Sequence, residues 1–187
     1  MLPVALATAV LAVGTQAPNA PVTETAALAP RTVCAGQTAY LAPAAVQLRA
    51  MRCLINWTRS HGGRSRLRAQ DQLNHAATLR AVDIRRCNDF SHTPCGESFA
   101  SVFLAVHYLA GTAGVGENLA WGQGRLGSAR ATLANWLASP AHRQVLYTSN
   151  WRDLGVTVLK APVLFGRRNV TLWVANFGYR PVTLPIP

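Results

Sequence analysis

Three titratable side chains, His92, Glu117 and His142, stand 25 residues apart in both intervals. Each lies in a short run of aromatic and turn-forming residues that would fix its direction. These runs are Phe90-Ser91-His92, Gly116-Glu117-Asn118-Leu119-Ala120-Trp121 and Trp136-Leu137-Ala138-Ser139-Pro140-Ala141-His142-Arg143. Even spacing over so short a stretch is compatible with one compact domain that gathers two imidazoles and a carboxylate.

The chain's 187 residues suffice for one domain with a full apolar core. Met1 to Val13 is almost entirely Ala, Val and Leu, too short to span a bilayer and long enough for the apolar region of a signal peptide. No Lys or Arg precedes that run, so the first residue reads as lying inside a longer leader. The expected division is leader 1–29, linker 30–43, domain 44–180 and tail 181–187. Four cysteines in an exported chain suggest two disulfides with three conceivable pairings. The preferred pairing is Cys34–Cys53 with Cys87–Cys95, because the second would close a small loop around Ser91-His92. A four-thiolate zinc site is disfavoured by the absence of any Cys-x-x-Cys spacing.

The formal net charge is +11, with 18 basic residues against 7 acidic, and Lys160 is the only lysine. Arginine forks suit phosphate and carboxylate. Arg59, Arg64, Arg66 and Arg68 flank Gly62-Gly63, and Arg167-Arg168 fall in a later loop. For an exported protein, lipid head groups or an acidic cell-envelope polymer are the expected partners; basic loops without interleaved aromatics argue against nucleic acid. A monomer is expected.

Leu48, Met51, Leu54, Ile55 and Thr58 recur at helical spacing until Gly62-Gly63. A second helix is expected from Asp71 as N-cap, with Leu73, Ala76, Ala77, Ala81 and Ile84 on one face. Glu97 to Leu109 reads as a third helix, and Gly111, Gly114 and Gly116 as a flexible approach to Glu117 in a turn. A fourth helix starts at its cap Ser128, and Ser139-Pro140 ends it and starts another. Two strands follow, Leu154 to Leu159 and Val170 to Phe177, joined by a basic loop from Lys160 to Asn169. The pattern is α+β, with helices layered on a small antiparallel sheet.

Read in order, these segments resemble the CAP superfamily of cysteine-rich secretory proteins, antigen 5 and plant pathogenesis-related proteins, in its bacterial form. The likeness covers roughly residues 48 to 178. It also takes in Asn56 and Arg59, Asp71-x-Leu73, Leu154-Gly155-Val156 and Phe177-Gly178. It implies a three-layer α-β-α sandwich whose cleft is lined by two histidines and one or two glutamates. His92, Glu117 and His142 match three of these, and Ser139 stands where many eukaryotic members have a second Glu. Some relatives bind sterols, fatty acids or phospholipids, and others act at cell surfaces; bacterial members have no settled activity.

A cleft of His92, Glu117, His142, Ser139 and Asn118 supports three readings. It could bind a lipid-like or envelope-derived ligand without catalysis. It could hold a divalent metal such as zinc on His92, His142 and Glu117, with metal-activated water performing hydrolysis. Or the chain could be a structural envelope protein working through its basic surface. His142 falls in the first turn of a helix, where the macrodipole disfavours imidazolium and keeps the ring neutral. Glu117 could be a ligand, a general base or a hydrogen-bond anchor. Gly122-Gln123-Gly124-Arg125-Leu126-Gly127 fits a dinucleotide fingerprint formally, but lacks a convincing preceding strand and reads as a turn. No nucleophile-elbow serine occurs, and paired cysteines leave no thiol nucleophile. His61, His75 and His107 read as surface or half-buried, and Trp121, Trp136, Trp151 and Trp173 as core or cleft wall. Trp57 is the aromatic most suited to a ligand face.

Overall fold

The helical apolar stripes and the alternating C-terminal segments become separate layers in the computed structural model, which describes residues 28–109 and 113–180. Of the leader read at 1–29, residues 1–27 lie outside the described residues, as does the tail at 181–187, while Ala29 is buried in the domain's core and Leu28 packs against it. Helix α1 (Ala44–His61) buries Met51, Leu54, Ile55 and Thr58, as its spacing predicts. Gly62 ends it, accepting no further turn because Gly63 has a positive φ of 70°.

A two-residue strand, β1 (Arg68–Ala69), leads into helix α2 (Asp71–Cys87). Asp71 is the first helical residue rather than the cap: Gln70 holds that place, and its side-chain oxygen accepts from the Gln72 N–H. The predicted stripe Leu73, Ala76, Ala77, Ala81 and Ile84 is fully buried.

The third helix is much shorter than the sequence suggests. Helix α3 spans only Ser101–Ala105, following a 3-10 turn at Pro94–Gly96. His107 takes a φ of 56°, which turns the chain out of the helix, so it occupies a bend and is exposed. The glycine-rich approach to Glu117 is a ten-residue strand, β2 (Gly114–Gln123), so Glu117 lies in a ladder and not in a turn. Its glycines serve close packing: a Cβ at Gly116 would come within 2.8 Å of Trp151. Strand β2 also directly precedes the Gly124–Gly127 segment, contrary to expectation, but that segment folds as a 3-10 turn.

Helix α4 (Ala129–Ala138) is capped by Ser128, whose Oγ accepts from the Ala131 N–H, and helix α5 (Pro140–Tyr147) follows directly from Ser139. Strands β3 (Asp153–Leu164) and β4 (Arg167–Tyr179) run longer than their alternating cores. The expected basic loop is therefore a tight turn at Phe165-Gly166, with φ of 51° and 67°. Lys160 and Arg168 belong to the ladder instead.

The sheet order is β1-β3-β4-β2, parallel between β1 and β3 and antiparallel elsewhere, with β2 at one edge. Strand alternation then sorts the core. Leu154, Val156, Trp173, Ala175 and Phe177 face α1, α4 and α5. Leu119, Leu172 and Val174 face the other way, onto Ala77, Ala81 and Ile84 of α2. This is the three-layer α-β-α arrangement. Helix α2 lies so close to the sheet that a Cβ at Gly155 would meet the Leu73 backbone at 2.1 Å. Both preferred disulfides form, Cys34–Cys53 and Cys87–Cys95. Residues 30–43, read as linker, are held to the domain by the first of these, with Cys34 buried in the α1-side core.

A candidate ligand-binding edge at strand β2

Successive residues of a strand point to opposite faces, and β2 uses this to split the site between layers. Glu117, paired in register with Asn176, faces α2. Asn118, opposite Ala175, faces α5, where its Nδ2 donates to the His142 carbonyl at 3.1 Å. Because β2 is the edge strand, His92 reaches it from the α2 side and His142 from the α5 side.

Glu117 has no exposed side-chain surface. Its Oε2 accepts from Arg80 Nε at 3.2 Å and, with the Asn176 amide turned to satisfy both its neighbours, from Asn176 at 3.0 Å. Its Oε1 bonds His92 Nδ1 at 2.8 Å. A carboxylate can only accept, so His92 carries its proton on Nδ1 and turns Nε2 outward. Arg80 is itself fully buried; it also donates to the Phe99 carbonyl at 2.7 Å and lies over the Phe99 ring. The His92 ring meets Phe99 edge to face, and the Cys87–Cys95 bridge closes the chain on either side of it.

On the other side, His142 Nδ1 bonds Ser139 Oγ at 2.8 Å. Ser139 thus caps α5 by backbone geometry while spending its hydroxyl on the ring. Burial first, and then the neighbouring His92, hold the His142 pKa below its ordinary 6.5. The direction agrees with the neutral ring expected from sequence, but burial and His92 cause it rather than the helix dipole. Among the described residues neither histidine's Nε2 has a protein partner.

All five cleft residues named from sequence therefore gather at this edge. Sequence reading missed Arg80 and Asn176. Arg80 had a visible signal, since it falls on the α2 stripe between Ala77 and Ala81, and a cation on a buried face needs either a buried acid or several carbonyls to receive it. Asn56 and Arg59, part of the resemblance, serve elsewhere: Asn56 exchanges two hydrogen bonds with the Leu67 backbone, and Arg59 binds the Ser65, Leu146 and Thr148 carbonyls. Trp57 is stacked on His61.

Zinc on His92, His142 and Glu117 does not fit this arrangement. Among the described residues no three His, Cys, Asp or Glu side chains form a metal-holding group. The carboxylate is already committed, with a guanidinium 3.2 Å away that would repel a cation. Cavities of about 470, 490 and 680 Å³ open elsewhere, and none of these three is lined by the trio.

Three solved structures share the fold. An outer surface protein from Borrelia burgdorferi superposes with a TM-score of 0.60 at 21% identity, covering 72% of this chain and 93% of its own. An extracellular SCP-domain protein from Bacillus anthracis gives 0.56 at 22%, covering 73% of this chain. A cysteine-rich secretory protein from Staphylococcus aureus gives 0.56 at 17%, again over 73%. The fold is CAP-like. The CAP-like region corresponds to 43% and 40% of the last two chains, so it spans under half of their length. No protein-family model and no curated protein matches the sequence.

Proposed function

We propose that this chain is an exported binding protein that receives a lipid-like or envelope-derived ligand at the β2 edge, between His92 and His142. The observation that carries this reading is the saturation of Glu117. A carboxylate without solvent exposure, already accepting from Arg80, Asn176 and His92, is an anchor rather than a base. What it leaves for a partner is a pair of imidazole edges beside an apolar ring: the Nε2 of His92, the Nε2 of His142, and Phe99. Such a set orients a polar head while an apolar part lies against the aromatic wall.

Export is supported by two disulfides in a chain with no free cysteine among the described residues. The structural neighbours are named as outer-surface, extracellular and secretory proteins. No helix among the described residues is long and apolar enough to cross a membrane.

Native mass spectrometry of the exported protein, purified without chelator or detergent, tests the reading. The expected result is a small molecule at one per chain that is lost in His92→Ala and retained in the surface variant His75→Ala. A bare polypeptide mass from every preparation, with no saturable binding of fatty acid or phospholipid on titration, would overturn it.

A further inference from the structure

The arginines of β1 and of the strand ends beside it remain unused by the β2 edge. Arg66, Arg68, Arg152 and Arg180 line a cavity of about 490 Å³ together with Asn150 and Tyr179. Three backbone segments bring them together: the Arg68 N–H donates to the Arg152 carbonyl, and the Arg152 N–H to the Gly178 carbonyl, each at 2.9 Å. Among the described residues the only carboxylate that any of the four pairs with is Asp153. That acid is fully buried and already accepts from Tyr108 Oη at 2.7 Å.

Three of the guanidinium groups are held in place with donors to spare. Arg68 gives its Nε to Asp153 Oδ1 and keeps both terminal nitrogens free, with 72% of its side chain exposed. Arg152 gives one terminal nitrogen to the Ser149 and Trp151 carbonyls and retains the other. Arg180 lies over the Tyr108 ring at 4.8 Å. Holding four like charges around one hollow is unfavourable in the free protein, and the charge is relieved when an anion enters. Forked donors fixed beforehand lose little entropy on binding a tetrahedral oxyanion.

We infer that this pocket is a phosphate-ester binding site, formed by Arg66, Arg68, Arg152 and Arg180 and separate from the β2 edge. A phosphate oxyanion presents several acceptors to the forks, and a cavity of this size holds a phosphate with a small polyol attached. The ester could be soluble or a phospholipid head group, and the chemistry recognised is the same.

Titration calorimetry with glycerol phosphate, and co-sedimentation with phosphatidylglycerol vesicles against phosphatidylcholine vesicles, test the site. Arg66→Gln/Arg180→Gln spares Arg68, whose loss would strand Asp153 in the core. The double variant should weaken binding by about tenfold or more. Arg49→Gln/Arg167→Gln, with the same net charge, should change it less than about twofold. Binding to glycerol phosphate that vesicles do not improve assigns the pocket to soluble esters; tighter vesicle binding, still lost in the double variant, assigns it to head groups. In the unmutated protein, glycerol phosphate should shield Arg66 and Arg180 from phenylglyoxal, mapped by peptide mass, which keeps the test valid if a variant folds poorly. Equal losses in both double variants, absence of saturable binding, or unprotected arginines would overturn the assignment.

Discussion

Each face of the sheet buries an arginine, and the two are neutralised in different ways. On the α2 face, Arg80 meets a carboxylate, Glu117, which in turn orients His92. On the α1 face, Arg59 meets only backbone: Ser65, Leu146 and Thr148 carbonyls bond it, and burial lowers its pKa to about 10, with Arg64 and Arg152 adding to the effect. Carbonyl dipoles suffice to tie the 62–68 and 146–148 segments together. An opposite charge is needed where the arrangement must also aim a side chain. Each face also has its own disulfide, Cys34–Cys53 at α1 and Cys87–Cys95 at the end of α2. The α1 side is thus built for anchorage, and the α2 side for anchorage plus direction.

The largest effect should come from breaking the charged side of this contrast. Glu117→Gln leaves Arg80 buried and uncompensated, and should cost about 3–5 kcal/mol in chemical denaturation. The His92 ring should lose its fixed orientation in NMR spectra. Replacing Cys87 and Cys95 together by serine should cost about 2–3 kcal/mol and broaden the His92 signals while leaving His142 sharp. If both rings respond equally, the two faces are less independent than described. Arg59→Met strips three carbonyls of a donor but also removes a strained charge, so its net cost should be smaller, about 1–2 kcal/mol, with no change at His92.

The smallest effect concerns protons. His142 has a folded pKa below 6.5, so in the window between the two values the unfolded chain binds more protons. Stability from this group should be complete above about 6.5, rise with pH through that window, and fall as the solution is acidified. His92→Ala removes the second cause of the shift, so the His142 midpoint should move upward by NMR titration. A downward move would contradict the proximity of the two rings.

Much of this was legible in the residues themselves. The helical stripes at Met51–Thr58 and Leu73–Ile84 have a period that only a buried face explains; the disulfides are the preferred one of three pairings, and the three-layer order is what the resemblance implies. Strand β2 was not legible because Gly114, Gly116 and Gly122 mimic a flexible loop; what they provide is room for Trp151, Tyr179 and the 126–127 backbone. The 97–109 helix was over-read because its apolar spacing continues past Ala105, while the left-handed turn at His107 is set by packing of Tyr108 against Asp153 and Gly178. The gathering of His92, Glu117 and His142 was anticipated from the ordered motifs. Its logic was not, since that depends on Arg80 and Asn176 and on β2 being an edge.

A double-mutant cycle on Arg80→Met and Glu117→Gln, read by chemical denaturation, tests most directly whether this buried pair supports the site. The two single losses should exceed the loss in the double variant by at least about 2 kcal/mol in sum, because removing both partners leaves no stranded charge. Losses that simply add, within about 0.5 kcal/mol, would show that Glu117 does not serve as the partner of Arg80, and the anchor role assigned to it would fail.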